Sequence, residues 1–259
     1  IGDVVPVDVV PGDVVPSDVV IGDVVPGDVV IGDVVIGDVT DPAALAAVDA
    51  HLAARGLPPL RGVIHAAGVL EDATIATLDP GSFARVAAPK CDGLRAIQAR
   101  WPDLELLVGF SSAGALFGSA GQAAHTAASA ALDAALAEAA AAGRPAVAID
   151  WGAWRERGAA ADRGTTAALL AGMGTIGIRD GFAALDRVLQ SGMPHAAVLP
   201  VDRPAMRAAG TLPRLLETAA GEAIPLRPDM GADPDIAAHA SGTAAAGETD
   251  ATPSGGAAA

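Results

Sequence analysis

Residues 104–122 read LELLVGFSSAGALFGSAGQ, and this stretch decides the fold. Leu104 to Phe110 is strongly apolar, as expected of a buried strand rather than a solvent-facing one. It ends in Ser111-Ser112 and a glycine-rich loop, and an alanine-rich helix is predicted from Gly121 to Ala142, closed by Gly143. A strand that ends in hydroxyls and a flexible loop places those hydroxyls at the C-terminal edge of a parallel sheet, where ligands bind in such architectures. Taken alone, the same serines equally suit simple loop caps.

Working outward, the same alternation recurs on both sides. Upstream, Asp41-Pro42 is an N-cap followed by proline at the first helical position, opening a helix that Gly56 closes. Gly62 to His65 is a short apolar strand, and Asp79-Pro80 opens a further helix expected to be interrupted near Pro89. Downstream come a strand at Ala146–Trp151, an amphipathic helix at Arg179–Leu189 and a last strand at Ala196–Val201. Alternating strands and helices imply a parallel sheet with helices on both faces. The expected fold is therefore α/β, an incomplete Rossmann-like doubly wound sheet over residues 38–215.

Two unlike segments flank it. Residues 1–37 repeat a GDVV-type pentapeptide, with Asp at every fifth position from Asp3 to Asp38. A period of five fits neither a helix nor a flat strand. A pentapeptide β-helix is one reading, but eight units make only about two coils, too few to bury a core without neighbours. The preferred reading is a low-complexity tract, extended or disordered. Residues 216–259 combine Ala, Gly, Pro, Thr and acids without periodicity and read as a disordered acidic tail.

Charge follows the same partition. The chain of 259 residues carries a net charge of −15. The first 40 residues hold eight Asp and no Lys or Arg, and residues 216–259 hold seven acids and one Arg, so the middle is nearly neutral. An acidic chain without a basic face argues against a nucleic-acid partner. Cys91 is the single cysteine, which excludes an internal disulfide and suits a reducing compartment. Neither a signal peptide nor a membrane span is expected, and a cytoplasmic setting follows. No metal site is expected.

Three segments carry chemistry: Val63-Ile64-His65-Ala66-Ala67-Gly68, Phe110 to Gln122, and Ala148-Ile149-Asp150-Trp151-Gly152-Ala153-Trp154. Each is weak alone, since small residues after a strand also serve tight packing, and two Trp three apart also serve a core. In this order and spacing they resemble the short-chain dehydrogenase/reductase superfamily. Within it they are similar to the C-terminal half of ketoreductase domains from modular type I polyketide synthases. Pro89-Lys90 and Gly143 to Ala146 fit the same pattern, and the likeness runs over Asp38 to Pro204.

That resemblance implies NADPH-dependent reduction of a β-ketoacyl chain tethered to an acyl carrier protein, among the other domains of a polyketide synthase. It implies that Asp38 and Val39 contact the adenine, and that His65, Ala66, Ala67 and Gly68 line the adenosine ribose. Trp151 and Gly152 fall on the cofactor side of the next strand. Ser112 matches the serine that polarises the ketone, and Lys90 the catalytic lysine beside the cofactor ribose. Leu70-Glu71-Asp72 matches the fingerprint of B-type ketoreductases, with Asp72 keeping its final Asp, and implies a 3R-hydroxyacyl product. Residues 155–175 match a mobile lid.

Three departures stand out. His125 occupies the position of the catalytic Tyr, whose phenol donates a proton as hydride arrives. An imidazolium is an adequate acid near neutral pH, but the ring is shorter, and a half-buried helix histidine without a role is the competing reading. Ser129 stands where the family has Asn, four residues on. The glycine-rich turn that binds a pyrophosphate is missing, and the acidic repeat stands in its place, where carboxylates repel phosphate. The chain thus reads as an impaired ketoreductase, with a non-catalytic scaffold remnant as the alternative. A repeat-driven module carrying the ketoreductase-like part as passenger is a third reading.

Overall fold

The computed structural model describes residues 19–21, 33–155 and 172–218. Most of the repeat, most of the expected lid at 155–175 and nearly all of the tail lie outside the described residues. Two short strands from the repeat are described: β1 (Val19–Ile21) and β2 (Asp33–Val35), which pair antiparallel with Val19 opposite Val35. Val35 packs against Val48 and Leu52 of the helix that follows.

That helix, α1 (Pro42–Ala54), begins where Asp41 accepts a hydrogen bond from the Ala43 N–H and Pro42 pre-sets the first turn. Strand β3 (Gly62–His65) comes next, then α2 (Pro80–Arg100), whose first turn is capped by Asp79. Strand β4 (Leu106–Ser112), the short α3 (Gly114–Phe117), the long α4 (Ala123–Ala141) and strand β5 (Ala146–Trp151) complete the middle. Helix α5 (Ile178–Ser191), strand β6 (His195–Val198) and the short helices α6 (Arg203–Ala208) and α7 (Arg214–Thr218) follow.

Strands β3 to β6 form one parallel sheet in the order β3-β4-β5-β6. Side chains alternate across it, so neighbouring residues of one strand enter different cores. Leu107 of β4 and Ala146 and Ala148 of β5 join Leu94, Ile97, Leu132 and Leu136 of α2 and α4. Val108 and Ile149 instead join Ala184, Leu185 and Val188 of α5. Helices therefore cover both faces, as expected for the α/β class. Burying a leucine as completely as Leu136 contributes about 1.5–3 kcal/mol, so α4 is held chiefly by its contact with the sheet. Gly109 makes that contact possible: a Cβ there would lie 2.2 Å from Leu136 Cδ1.

Three expectations are corrected. Helix α2 is not interrupted near Pro89 but runs unbroken from Pro80 to Arg100. Proline removes one helical hydrogen bond, yet Val86, Pro89, Lys90, Gly93 and Leu94 are all buried, and packing on both sides holds the helix through it. Strand β4 lies two residues later than Leu104–Phe110. Its ladder starts with Leu106 opposite Gly62 and continues until Ser112 meets Trp151. The last strand is likewise His195–Val198, because Pro200, which offers no N–H, cannot extend a ladder. Among the described residues, no helix is long and apolar enough to cross a membrane.

Candidate active site

The C-terminal ends of β3, β4 and β5 bring most of the candidate residues to one edge of the sheet. His65 ends β3, is 3% exposed, and bonds through Nε2 to the Lys90 carbonyl oxygen at 3.1 Å. An acceptor on that side makes Nε2 the protonated nitrogen of the neutral ring. Burial pushes the His65 pKa down to about 4, and the nearby Lys90 charge adds to that, against hydrogen bonds to the Lys90 and Pro89 carbonyls. The buried Val39 packs beside it: a Cβ on Gly93 would lie 2.7 Å from Val39 Cγ1 and 3.3 Å from His65 Cε1. Val39, His65 and α2 thus converge at a glycine. Asp38 is exposed and accepts from the Thr40 N–H and hydroxyl, both at 2.8 Å, which shapes the turn before α1.

Lys90 lies beneath the loop after β3. Its Nζ donates to the Phe110 carbonyl oxygen at 2.9 Å, and Gly68 is close enough that a Cβ there would touch Lys90 Cε at 3.7 Å. The side chain is buried, and desolvation lowers its pKa to about 8, opposed by the charges of Asp133, Cys91 and Asp150. Of the other loop residues, Ala66 is exposed and Ala67 half-buried.

Ser112, the last residue of β4, is half-buried and pairs in register with Trp151. Its Oγ accepts from the Gly114 N–H at 3.1 Å, which leaves the hydroxyl proton free to donate to another oxygen. Thr126 Oγ1 borders the same glycine, 3.5 Å from where a Cβ would stand. Helix α4 carries His125, half-buried in its first turn, and Ser129, which is fully buried. The Ser129 carbonyl accepts from the Ser111 hydroxyl at 3.3 Å, and its own Oγ is buried without a hydrogen-bond partner. Ser129 thus lies inside the α4–β4 contact.

The loop at 70–73 is fastened at two points. Glu71 forms a two-pronged ion pair with Arg85 of α2 at 2.6 and 2.8 Å, and that pairing, with Ser82, holds the Glu71 carboxyl down to about 2. Asp72 accepts from Gln122 Nε2 at 3.3 Å, Gln122 accepts from the Ser119 hydroxyl at 2.7 Å, and Ala73 bridges Gln122 in parallel. The fingerprint segment is thereby tied to the start of α4. Sequence reasoning gave Gln122, the last residue of the Phe110–Gln122 segment, no role of its own and missed Thr126 as a member of this neighbourhood. Their polar side chains at the opening of an otherwise alanine-rich helix were the available signal.

Trp151 is buried between Phe110 and Trp154, with ring centroids 5.1 and 4.9 Å away. The backbone continues through Gly152, whose N–H bonds to the Val198 carbonyl at 2.8 Å. A Cβ at Gly152 would lie 3.2 Å from Leu199 Cβ, so glycine admits the β6 strand there.

A dinucleotide needs more than this edge. In doubly wound sheets the ligand crevice opens where strand order reverses, and the diphosphate sits on a free helix N-terminus. The described sheet runs β3-β4-β5-β6 without reversal, and the N-termini of α1 and α2 are filled by the carboxylates of Asp41 and Asp79. The N-termini of α4 and α5 carry no side-chain cap, so what the described residues lack for the diphosphate half of a nicotinamide cofactor is the crevice at a reversal of strand order.

A parallel sheet covered on both faces, with a hydroxyl at the end of β4 and a buried lysine behind it, defines a Rossmann-like α/β chain of the short-chain dehydrogenase/reductase type. Residues 29–156 match the family model described as KR domain. The polyketide synthase GfsB of Streptomyces halstedii is 39% identical over 168 residues, covering 61% of this chain and 3% of that protein. A protein of Aspergillus clavatus named as a 6-methylsalicylic acid-type synthase is 33% identical over 231 residues, covering 84% of this chain and 12% of that one. Among solved structures, an A-type ketoreductase from a modular polyketide synthase superposes with a TM-score of 0.62 at 32% identity, covering 68% of this chain and 38% of that chain. The first-module ketoreductase of phoslactomycin biosynthesis from Streptomyces sp. HK803 gives 0.60 at 30% identity, covering 70% and 43%. The chain belongs to the ketoreductase domains of modular polyketide synthases. It spans less than half the length of these solved domains and a small fraction of the curated synthases.

Proposed function

We propose that this chain is a polyketide synthase ketoreductase-type domain whose family reaction is impaired. That reaction is NADPH-dependent reduction of a β-ketoacyl group, carried on an acyl carrier protein, to a 3-hydroxyacyl group. The observation that carries the reading is the pairing of the retained Ser112, Lys90 and Asp72 with a described sheet whose strand order does not reverse. The Ser112 hydroxyl, fixed by Gly114, is available to polarise a ketone oxygen as an oxyanion-type donor. His125 holds the position from which the family's Tyr gives its proton, and Lys90 supplies positive charge from behind Phe110. Asp72, anchored by Gln122, keeps the B-type feature, and a 3R-hydroxyacyl product follows from it. Carrier-protein and neighbouring synthase domains are the partners implied. The described residues lack the reversal of strand order at which such cofactors bind, and weak affinity for the hydride donor follows.

Fluorescence titration of the full chain with NADPH, followed by reduction of a diketide thioester, tests this. A complete ketoreductase serves as reference. Loss of a matched general acid alone costs about 10²–10⁴-fold, so turnover at least about 100-fold below the reference is expected. Turnover within about 10-fold of the reference would overturn the impairment. A non-catalytic scaffold is favoured by one specific observation, the complete burial of Ser129 at the family's Asn position. No turnover in either wild type or His125→Tyr at saturating NADPH selects that reading.

A further inference from the structure

On the α4 face of the sheet, within electrostatic reach of Lys90 and beside Ser111, three ligand-type side chains meet. Asp133 comes from the middle of α4, Asp150 from β5 and His195 from the start of β6. The parallel register sets this up: His195 lies opposite Ala148, and Asp150 is two residues further along the same face. Asp150 is 0% and Asp133 8% exposed, whereas the His195 side chain is 38% exposed. One donor atom from each residue can be chosen so that all three lie within 4.8 Å of one another.

Two buried carboxylates side by side need compensation. The Nε2 of His195 donates to Asp150 Oδ2 at 2.8 Å, yet Oδ1 of Asp150 and Oδ1 of Asp133 are both buried without a hydrogen-bond partner. The nearest buried ammonium, Lys90, acts on both acids through space but spends its hydrogen bond on the Phe110 carbonyl. Burial pushes the Asp133 carboxyl up, with the Ser111 hydroxyl pulling against it and Asp150 adding to it. The cluster is thus short of positive charge and has unused oxygen lone pairs in a dry setting. One member, His195, reaches solvent and offers an entry path.

We propose that Asp133, Asp150 and His195 form a divalent-cation site of one nitrogen and two carboxylate donors, suited to Zn2+ or Co2+, which ties α4, β5 and β6 together. Three protein ligands with a fourth position left to water is a common arrangement for such ions. Binding converts His195 Nε2 from a donor to a ligand, so its proton moves to Nδ1, and any proton on Asp133 is released to solvent. This site was not foreseen from the sequence, where no metal was expected. It is independent of the reductase reading.

The test is titration of the metal-stripped full chain with CoCl2, followed by visible d–d absorption, together with thermal unfolding with and without ZnCl2. Wild type is expected to give a saturable Co2+ spectrum and a Zn2+-dependent rise in Tm. Losing even an outer-shell partner weakens metal sites about 10–100-fold, so His195→Ala and Asp133→Asn should each weaken Co2+ binding at least about 10-fold and abolish the thermal shift. His195 is partly exposed, so its variant keeps the fold, which circular dichroism checks. A Co2+ spectrum and a Tm rise that are the same in His195→Ala as in wild type would place the ion elsewhere and overturn the proposal. Absence of both in wild type would overturn it too.

Discussion

His65 lies under the Val39 turn with its ring fixed to the Lys90 carbonyl, and it is kept neutral by burial. Its folded pKa, about 4, is below the unfolded value near 6.5. A depressed folded pKa means the unfolded chain binds the proton first. The contribution of His65 to stability is therefore complete above about pH 6.5 and is lost as pH falls toward 4. Urea unfolding across that window should show wild type losing up to about 3 kcal/mol relative to His65→Gln, which keeps a donor for the carbonyl. A constant difference between the two proteins from pH 7 to 4 would rule the effect out. The sequence marked His65 as the end of a short strand, and the resemblance placed it at the start of the loop lining the adenosine ribose. It gave no sign that the ring turns inward, because its partner is a backbone carbonyl 25 residues away, and backbone acceptors have no residue type.

Helix α2 depends on its cap and α4 on a missing side chain. The Asp79 carboxylate accepts from the Gly81 and Ser82 N–H groups at 2.9 and 3.0 Å. Asp79→Ala should cost about 1 kcal/mol, read as a lowered urea midpoint with the m-value unchanged. At Gly109 an added methyl meets Leu136, and overpacking of this kind costs about 1–3 kcal/mol. Gly109→Ala should lower stability by that order, and the double variant with Leu136→Val should recover part of the loss. No recovery would mean that the methyl strains the backbone rather than Leu136. These elements were legible because Asp-Pro pairs mark helix starts and apolar runs mark buried strands, so α1, β3 and β5 fell where expected. Pro89 misled because a local rule about proline was overridden by packing along both flanks. The site was legible as a set of sheet-edge residues. The ties of Asp72 to Gln122 and of Asp150 to His195 were not, since they depend on register and on chain separations of 50 and 45 residues.

At the scale of the molecule, the sheet is unevenly covered. Ile149 in β5 is fully buried under α5, whereas Ile64, on the same face of β3, is 51% exposed. Ile149→Ala should cost about 2–5 kcal/mol, while Ile64→Thr should stay within about 0.5 kcal/mol, both read from denaturant midpoints. An equal cost at the two positions would show that something covers β3 in solution. The strand order β3-β4-β5-β6 has one more consequence, in the time domain. Each strand of this sheet docks on the strand made just before it, and α2, α4 and α5 close the crossovers as they appear. No strand waits for a distant partner, so the loops closed are only those of successive crossovers. Assembly can then advance along the chain during synthesis, from β3 toward β6, each new strand finding its template already in place.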